Sequence, residues 1–120
     1  MTRADAIAEL KESFGSEAVA EQPLPSEPGL TLVIITEKQA IPNSKQTTQV
    51  AFKLPADITA RPQHFVETHL VLPNGQQPNN VSNQELNGRL WKTWSMSTSW
   101  DPAKHTLSQL IDTVLKQWDR

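Results

Sequence analysis

In Thr106-Leu107-Ser108-Gln109-Leu110-Ile111-Asp112-Thr113-Val114-Leu115-Lys116-Gln117-Trp118, the apolar side chains Leu107, Leu110, Ile111, Val114, Leu115 and Trp118 recur three and four residues apart. That spacing gathers them on one side of an α-helix and leaves Asp112 and Lys116 to solvent. Thr106 and Gln109 stand at the positions of a capping box, which fixes the start of the helix. A helix with a single apolar stripe needs a second layer to bury it. Upstream, Leu30-Thr31-Leu32-Val33-Ile34-Ile35-Thr36 is β-branched and apolar at both parities, as in a strand covered on both faces. The expected core is therefore a helix laid on a sheet.

Further strands follow from the same reasoning. Pro42-Asn43-Ser44-Lys45 reads as a turn, and in Gln49-Val50-Ala51-Phe52-Lys53-Leu54 the residues Val50, Phe52 and Leu54 share one face. After a break over 55–62, a third strand is expected from near His64, with Val66, Thr68, Leu70 and Leu72 on its less polar side, ended by the turn Pro73-Asn74-Gly75. At the other end of the chain, Ile7, Leu10 and Phe14 share a helical face over 2–14, with Thr2 and Asp5 as a capping signal and Gly15 as a stop. Pro23, Pro25 and Pro28 mark 16–29 as a proline-rich arm, extended and exposed. The region 76–102 is amide-rich, yet it holds Trp91, Trp94 and Trp100, so it is expected to be an ordered flap pinned to the core by its indoles. The whole chain, 1–120, reads as one α+β domain. It comprises an N-terminal helix over 1–15, the arm, a meander sheet of about three or four antiparallel strands over 30–75, the tryptophan-rich segment and a C-terminal helix over 103–120.

Composition narrows the function. The chain has no cysteine, which excludes a thiol nucleophile, a disulfide and a cysteine-held metal. Eleven Lys and Arg against thirteen Asp and Glu, scattered in both signs, make no basic surface for a phosphate backbone, so no nucleic-acid partner is expected. No apolar run approaches the roughly 20 residues of a membrane span. The opening Met1-Thr2-Arg3-Ala4-Asp5 lacks the apolar core of a secretory signal, so the expected location is cytoplasmic.

Chemistry-bearing side chains are few. His64 and His69 lie five apart in the expected strand, on opposite faces, so they do not chelate one metal, and both read as ordinary strand residues. His105 reads as a solvated turn residue before the helix. Ser95, Ser97 and Ser99 lie among the tryptophans with no base and no glycine elbow beside them. Asn74-Gly75 and Asn87-Gly88 read as turn dipeptides. No metal and no cofactor is expected.

Taken in order, Phe52-Lys53-Leu54-Pro55, Ala60-Arg61-Pro62, His69-Leu70-Val71-Leu72-Pro73-Asn74-Gly75, Asn87-Gly88-Arg89-Leu90-Trp91, Trp100-Asp101-Pro102 and Thr106-Leu107 with its helix resemble the ubiquitin-conjugating (E2, UBC) fold. The likeness is closest to the small bacterial E2-like proteins. It covers 54–118, while the first half agrees only as a helix followed by strands. In that family a strand, a proline-rich turn and another strand precede a His-Pro-Asn turn, an Asn-Gly-x-Ile/Leu-Cys active site, a Trp-x-Pro element and a helix. This chain departs where the chemistry would be: Trp91 stands at the cysteine position and Leu72 at the histidine of His-Pro-Asn. Asn74 matches the asparagine that stabilises the oxyanion in the family, a role that is idle without a thioester.

The resemblance implies a UBC-like domain retained as a non-catalytic protein-binding module, a pseudoenzyme in a bacterial ubiquitin-like pathway. Its partner would be a ubiquitin-like protein, an activating enzyme or a conjugating subunit, with Trp91, Trp94, Asn74 and Asn87 as candidate binding residues and an exposed tryptophan as the anchor. Two alternatives stay open: a small hydrolase or acyl-transfer enzyme using His69, His105 or a serine of the tryptophan-rich segment, and a structural or interaction protein that shares only the fold.

Overall fold

The computed structural model describes residues 1–78 and 80–119. Helix α1 (Arg3–Phe14) starts where Thr2 accepts the Asp5 N–H on its hydroxyl, and it stops at Gly15, whose φ of 94° a side-chain-bearing residue rarely adopts. Six strands follow: β1 (Val19–Pro23), β2 (Leu30–Ile41), β3 (Gln46–Pro55), β4 (Gln63–Val66), β5 (Val81–Leu86) and β6 (Arg89–Trp94). Helix α2 (Leu107–Lys116) follows them, carrying at Thr106 and Gln109 the complete capping box that the sequence predicts. All strand pairs are antiparallel, and the order across the sheet is β1-β2-β3-β4-β6-β5.

The sheet is larger than the sequence pattern predicts for two reasons, and one expected strand is shorter. The proline-rich arm is not a free, exposed segment: after a short 3₁₀ turn at Ser16–Ala18, it forms β1 against β2 and buries Val19 and Leu24. Pro23 is tolerated because it occupies the last position of an edge strand, where a missing N–H disrupts least. The tryptophan-rich segment contributes the β5–β6 hairpin, turned at Asn87 and Gly88 with φ of 52° and 81°, the left-handed pair of a tight hairpin. The strand expected from His64 toward Leu72 ends at Val66, because the Glu67 N–H bonds to the Thr48 hydroxyl at 3.0 Å and the chain turns from Glu67 to Leu70.

Alternate residues of the central strands feed two cores. Both helices pack on one face, where Leu10, Leu107, Leu110, Ile111, Val114 and Trp118 meet Val33, Ile35, Val50, Phe52 and Leu54. On the opposite face Leu24, Leu32, Ile34, Ala51, Phe65, Leu86 and Trp91 form a smaller core with no helix over it. This face is enclosed by the sheet itself. Five strand spacings of about 4.8 Å would hold flat edges roughly 24 Å apart. Yet Asn87, in the turn after edge strand β5, donates to Gln22 Oε1 at 3.1 Å and to the Pro23 carbonyl at 3.0 Å on edge strand β1. The sheet therefore curls until one end closes. Lys53, buried on this face and paired with Glu27 at 2.8 Å, covers the Phe65 ring. No helix among the described residues is long and apolar enough to cross a membrane.

Candidate functional site

The four candidate binding residues do not converge on one site. Trp91 is fully buried in the smaller core, with the Arg89 guanidinium 3.9 Å from its ring centroid. Trp94, next on β6 but of opposite parity, faces the helices and meets Trp118 edge-on at 5.1 Å. Neither indole is exposed, which corrects the expectation of a tryptophan anchor on the surface. Asn74 caps its own turn by accepting the Gln76 N–H at 2.9 Å, and Asn87 ties the sheet edges together. The tryptophan-rich segment is expected as a flap, and two of its stretches are the sheet strands β5 and β6. Trp100 ties the end of the segment to the start of α2, donating from Nε1 to the Thr106 carbonyl at 2.9 Å.

Of the alternative catalytic groups, His105 accepts the Asp101 N–H on Nδ1 at 2.9 Å and so belongs to the turn before α2. His69 lies beyond the end of β4, half exposed, with Nε2 2.8 Å from the Thr47 carbonyl. It adjoins the densest charge cluster, in which the nearly buried Glu67 carboxylate takes Lys38 on both oxygens and Arg89 Nη2 at 3.1 Å. Two cations share one carboxylate there, which describes a structural knot at the end of β4. Among the described residues no group of three or more His, Asp or Glu is placed to hold a metal.

The polar site that remains unmatched lies elsewhere. β4 and β6 share a single paired position, Val66 with Lys92, and from there the start of β4 and the end of β6 diverge. The wedge between them is a cavity of about 400 Å³, within the range of ligand sites. Arg61, Gln63 and His64 border it from the β4 side, Thr93, Trp94 and Ser95 from β6, and Ser82 from β5. Gln63 bridges the wedge, donating from Nε2 to Gln84 Oε1 at 3.1 Å and to the Thr93 hydroxyl at 3.3 Å.

His64 is the unusual member. It is 3% exposed, its ring stands against Trp94, and neither ring nitrogen has a hydrogen-bond partner among the described residues. Burial, and secondarily the Arg61 charge, lower its pKa to about 4, so it is neutral at pH 7 with one donor and one acceptor nitrogen. The sequence reading passed His64 over, because spacing along a strand does not show which residue the far-off β6 will bury. A catalytic base works best with a pKa near the operating pH, and His64 lies well below it. It makes no hydrogen bond to Ser82 or Ser95, and no carboxylate borders the cavity to orient it.

Comparison of the chain with protein-family models, with curated proteins and with solved structures finds no match in any of the three.

Proposed function

We propose that this chain is a non-catalytic E2-like domain acting as a protein-binding module in a bacterial ubiquitin-like pathway. Its partner would be a ubiquitin-like protein, an activating enzyme or a conjugating subunit. The reading is supported by the order of β3, the proline-bearing turn over 55–62, β4, the Leu72–Gly75 turn, the Asn87-Gly88 turn, Trp100-Asp101-Pro102 and α2, with the hairpin strands β5 and β6 on either side of Asn87-Gly88. Trp91 carries the non-catalytic part. Where the resemblance places the nucleophile stands a fully buried indole in mid-strand, in a chain without cysteine. An indole neither accepts an acyl group nor, at that depth, meets one.

A hydrolase is favoured by one observation, the cavity shared by His64, Ser82 and Ser95. It weighs less because the histidine is a poor base at neutral pH and touches neither hydroxyl.

The test mixes the chain with an activating enzyme, ATP and a ubiquitin-like protein from the same host, and follows adduct formation and binding. The expected result is saturable, non-covalent binding to one of these partners and no adduct reversed by thiol. Turnover of an activated ester by the chain alone, lost in His64→Gln, would instead select the hydrolase. Binding to none of the three partner classes would overturn the module.

A further inference from the structure

The wedge between β4 and β6 is polar, with Gln63, Asn80, Ser82, Thr93 and Ser95 offering both donors and acceptors. Arg61 brings its one formal positive charge, and no carboxylate borders the cavity among the described residues. The Arg61 guanidinium is anchored by Nη1 on the Thr98 carbonyl at 3.0 Å, and no other hydrogen bond from it is made among the described residues. Thr93, having accepted Gln63 Nε2 on its hydroxyl oxygen, keeps its own proton to donate. The neutral His64 ring stands behind these groups with both nitrogens sealed from solvent. Pro62 and the Trp94 indole supply apolar wall.

We propose that this cavity is a binding site for a carboxylate group on a short apolar stem, held by Arg61 and Thr93, with the stem against Pro62 and Trp94. A carboxylate fits better than a phosphate for two reasons. A single guanidinium balances one negative charge, and its planar fork matches the two oxygens of a carboxylate. The carboxylate would come from a small organic acid or from the C-terminal residue of a polypeptide. The assignment does not depend on the partner proposed above.

The test titrates the full chain with isobutyrate, isobutyramide, N-acetylvaline and inorganic phosphate, following by NMR the amides of Ser82, Thr93 and Ser95 and the Trp94 indole N–H. Isobutyrate and N-acetylvaline should give saturable shifts with millimolar Kd, and isobutyramide should bind at least about tenfold more weakly because it carries no charge. Arg61→Gln should abolish the response and Arg61→Lys should retain part of it, with the Trp94 signal reporting that each variant is folded. N-acetylvaline binding about tenfold or more tightly than isobutyrate would support a polypeptide terminus as the source, and equal affinities a small acid. The site is overturned if the acid and the amide behave alike, if phosphate binds more tightly than isobutyrate, if no ligand saturates, or if the shifts persist in folded Arg61→Gln.

Discussion

The imidazole of His64 stands edge-on to the indole of Trp94, ring centroids 4.3 Å apart and planes inclined by 76°, and Trp94 repeats the arrangement with Trp118 at 5.1 Å and 89°. Three rings, from β4, β6 and the turn just after α2, thus form one edge-to-face stack behind the wedge. Such pairs favour packing through the positive edge of one ring against the negative face of the next. They hold His64 where water does not reach it, and its proton affinity falls as a result.

This burial makes stability depend on pH. The folded pKa is about 4 against an ordinary 6.5, so between these values the unfolded chain binds a proton that the folded chain refuses. Stability is therefore complete above pH 6.5, declines as pH falls, and stops declining on this account below about pH 4. At about 1.4 kcal/mol per pH unit, the full loss is on the order of 3 kcal/mol. His64→Phe, which keeps an aromatic edge against Trp94, should be as stable as the parent at pH 7 and should flatten this slope. Urea melts of both proteins at intervals from pH 7 to pH 4 check it; parallel curves would place the titration elsewhere.

Leu110 is fully buried between α2 and the sheet. Leu110→Ala should lower the unfolding free energy by about 2–5 kcal/mol, the cost of emptying a packed leucine site. A loss below about 1 kcal/mol in chemical denaturation would mean that α2 is not seated on this face.

What was legible in the sequence follows from how locally each feature is encoded. The periodicity of α2 and both capping signals, Thr2 with Asp5 and Thr106 with Gln109, lie within a few residues of one another and reappear in the structure. β5 was missed because Val81-Ser82-Asn83-Gln84-Glu85-Leu86 is an edge strand with polar side chains on most of its surface; its one signal was the Asn87-Gly88 turn beside it. β1 was missed because the prolines of 16–29, of which Pro23 ends the strand, argue against a strand interior, and an edge is the exception. The wedge was invisible for a different reason. His64 and Trp94 meet only because β6 crosses to lie beside β4, and no local pattern records that crossing.

Trp91 separates two roles by which measurement it affects. An exposed binding anchor would, when truncated, cost affinity and leave stability unchanged. Trp91 is instead fully buried among Leu32, Phe65 and Leu86, so Trp91→Ala should cost about 3–5 kcal/mol of stability, the range for losing a large core aromatic ring. Trp91→Cys should be destabilised to a similar extent and form no thioester. A Trp91→Ala protein with parental stability in urea would return Trp91 to the surface.

Glu9 joins the two helices, and its loss should appear at a different pH from that of His64. Its carboxylate accepts the Ser108 N–H at 3.0 Å and the Ser108 hydroxyl at 2.6 Å, so a side chain of α1 caps the first turn of α2, and Ser13 adds a third donor at 2.6 Å. A negative group at that end also faces the positive pole of the helix. Burial by itself would raise the pKa of Glu9, but the hydrogen bonds from Ser108, Ser13 and Thr106 outweigh it and hold the carboxyl below its ordinary 4.5. The contribution is therefore fully present above pH 4.5 and is lost as pH falls through the lower folded value. Glu9→Ala should lower stability by about 1 kcal/mol at pH 7, as the removal of a helix cap does. The gap between parent and variant should stay constant down to about pH 5 and narrow below it. Denaturation of both proteins at pH 7, 5 and 3 tests this, and a gap that stays open at pH 3 would show that Glu9 acts by packing rather than by charge.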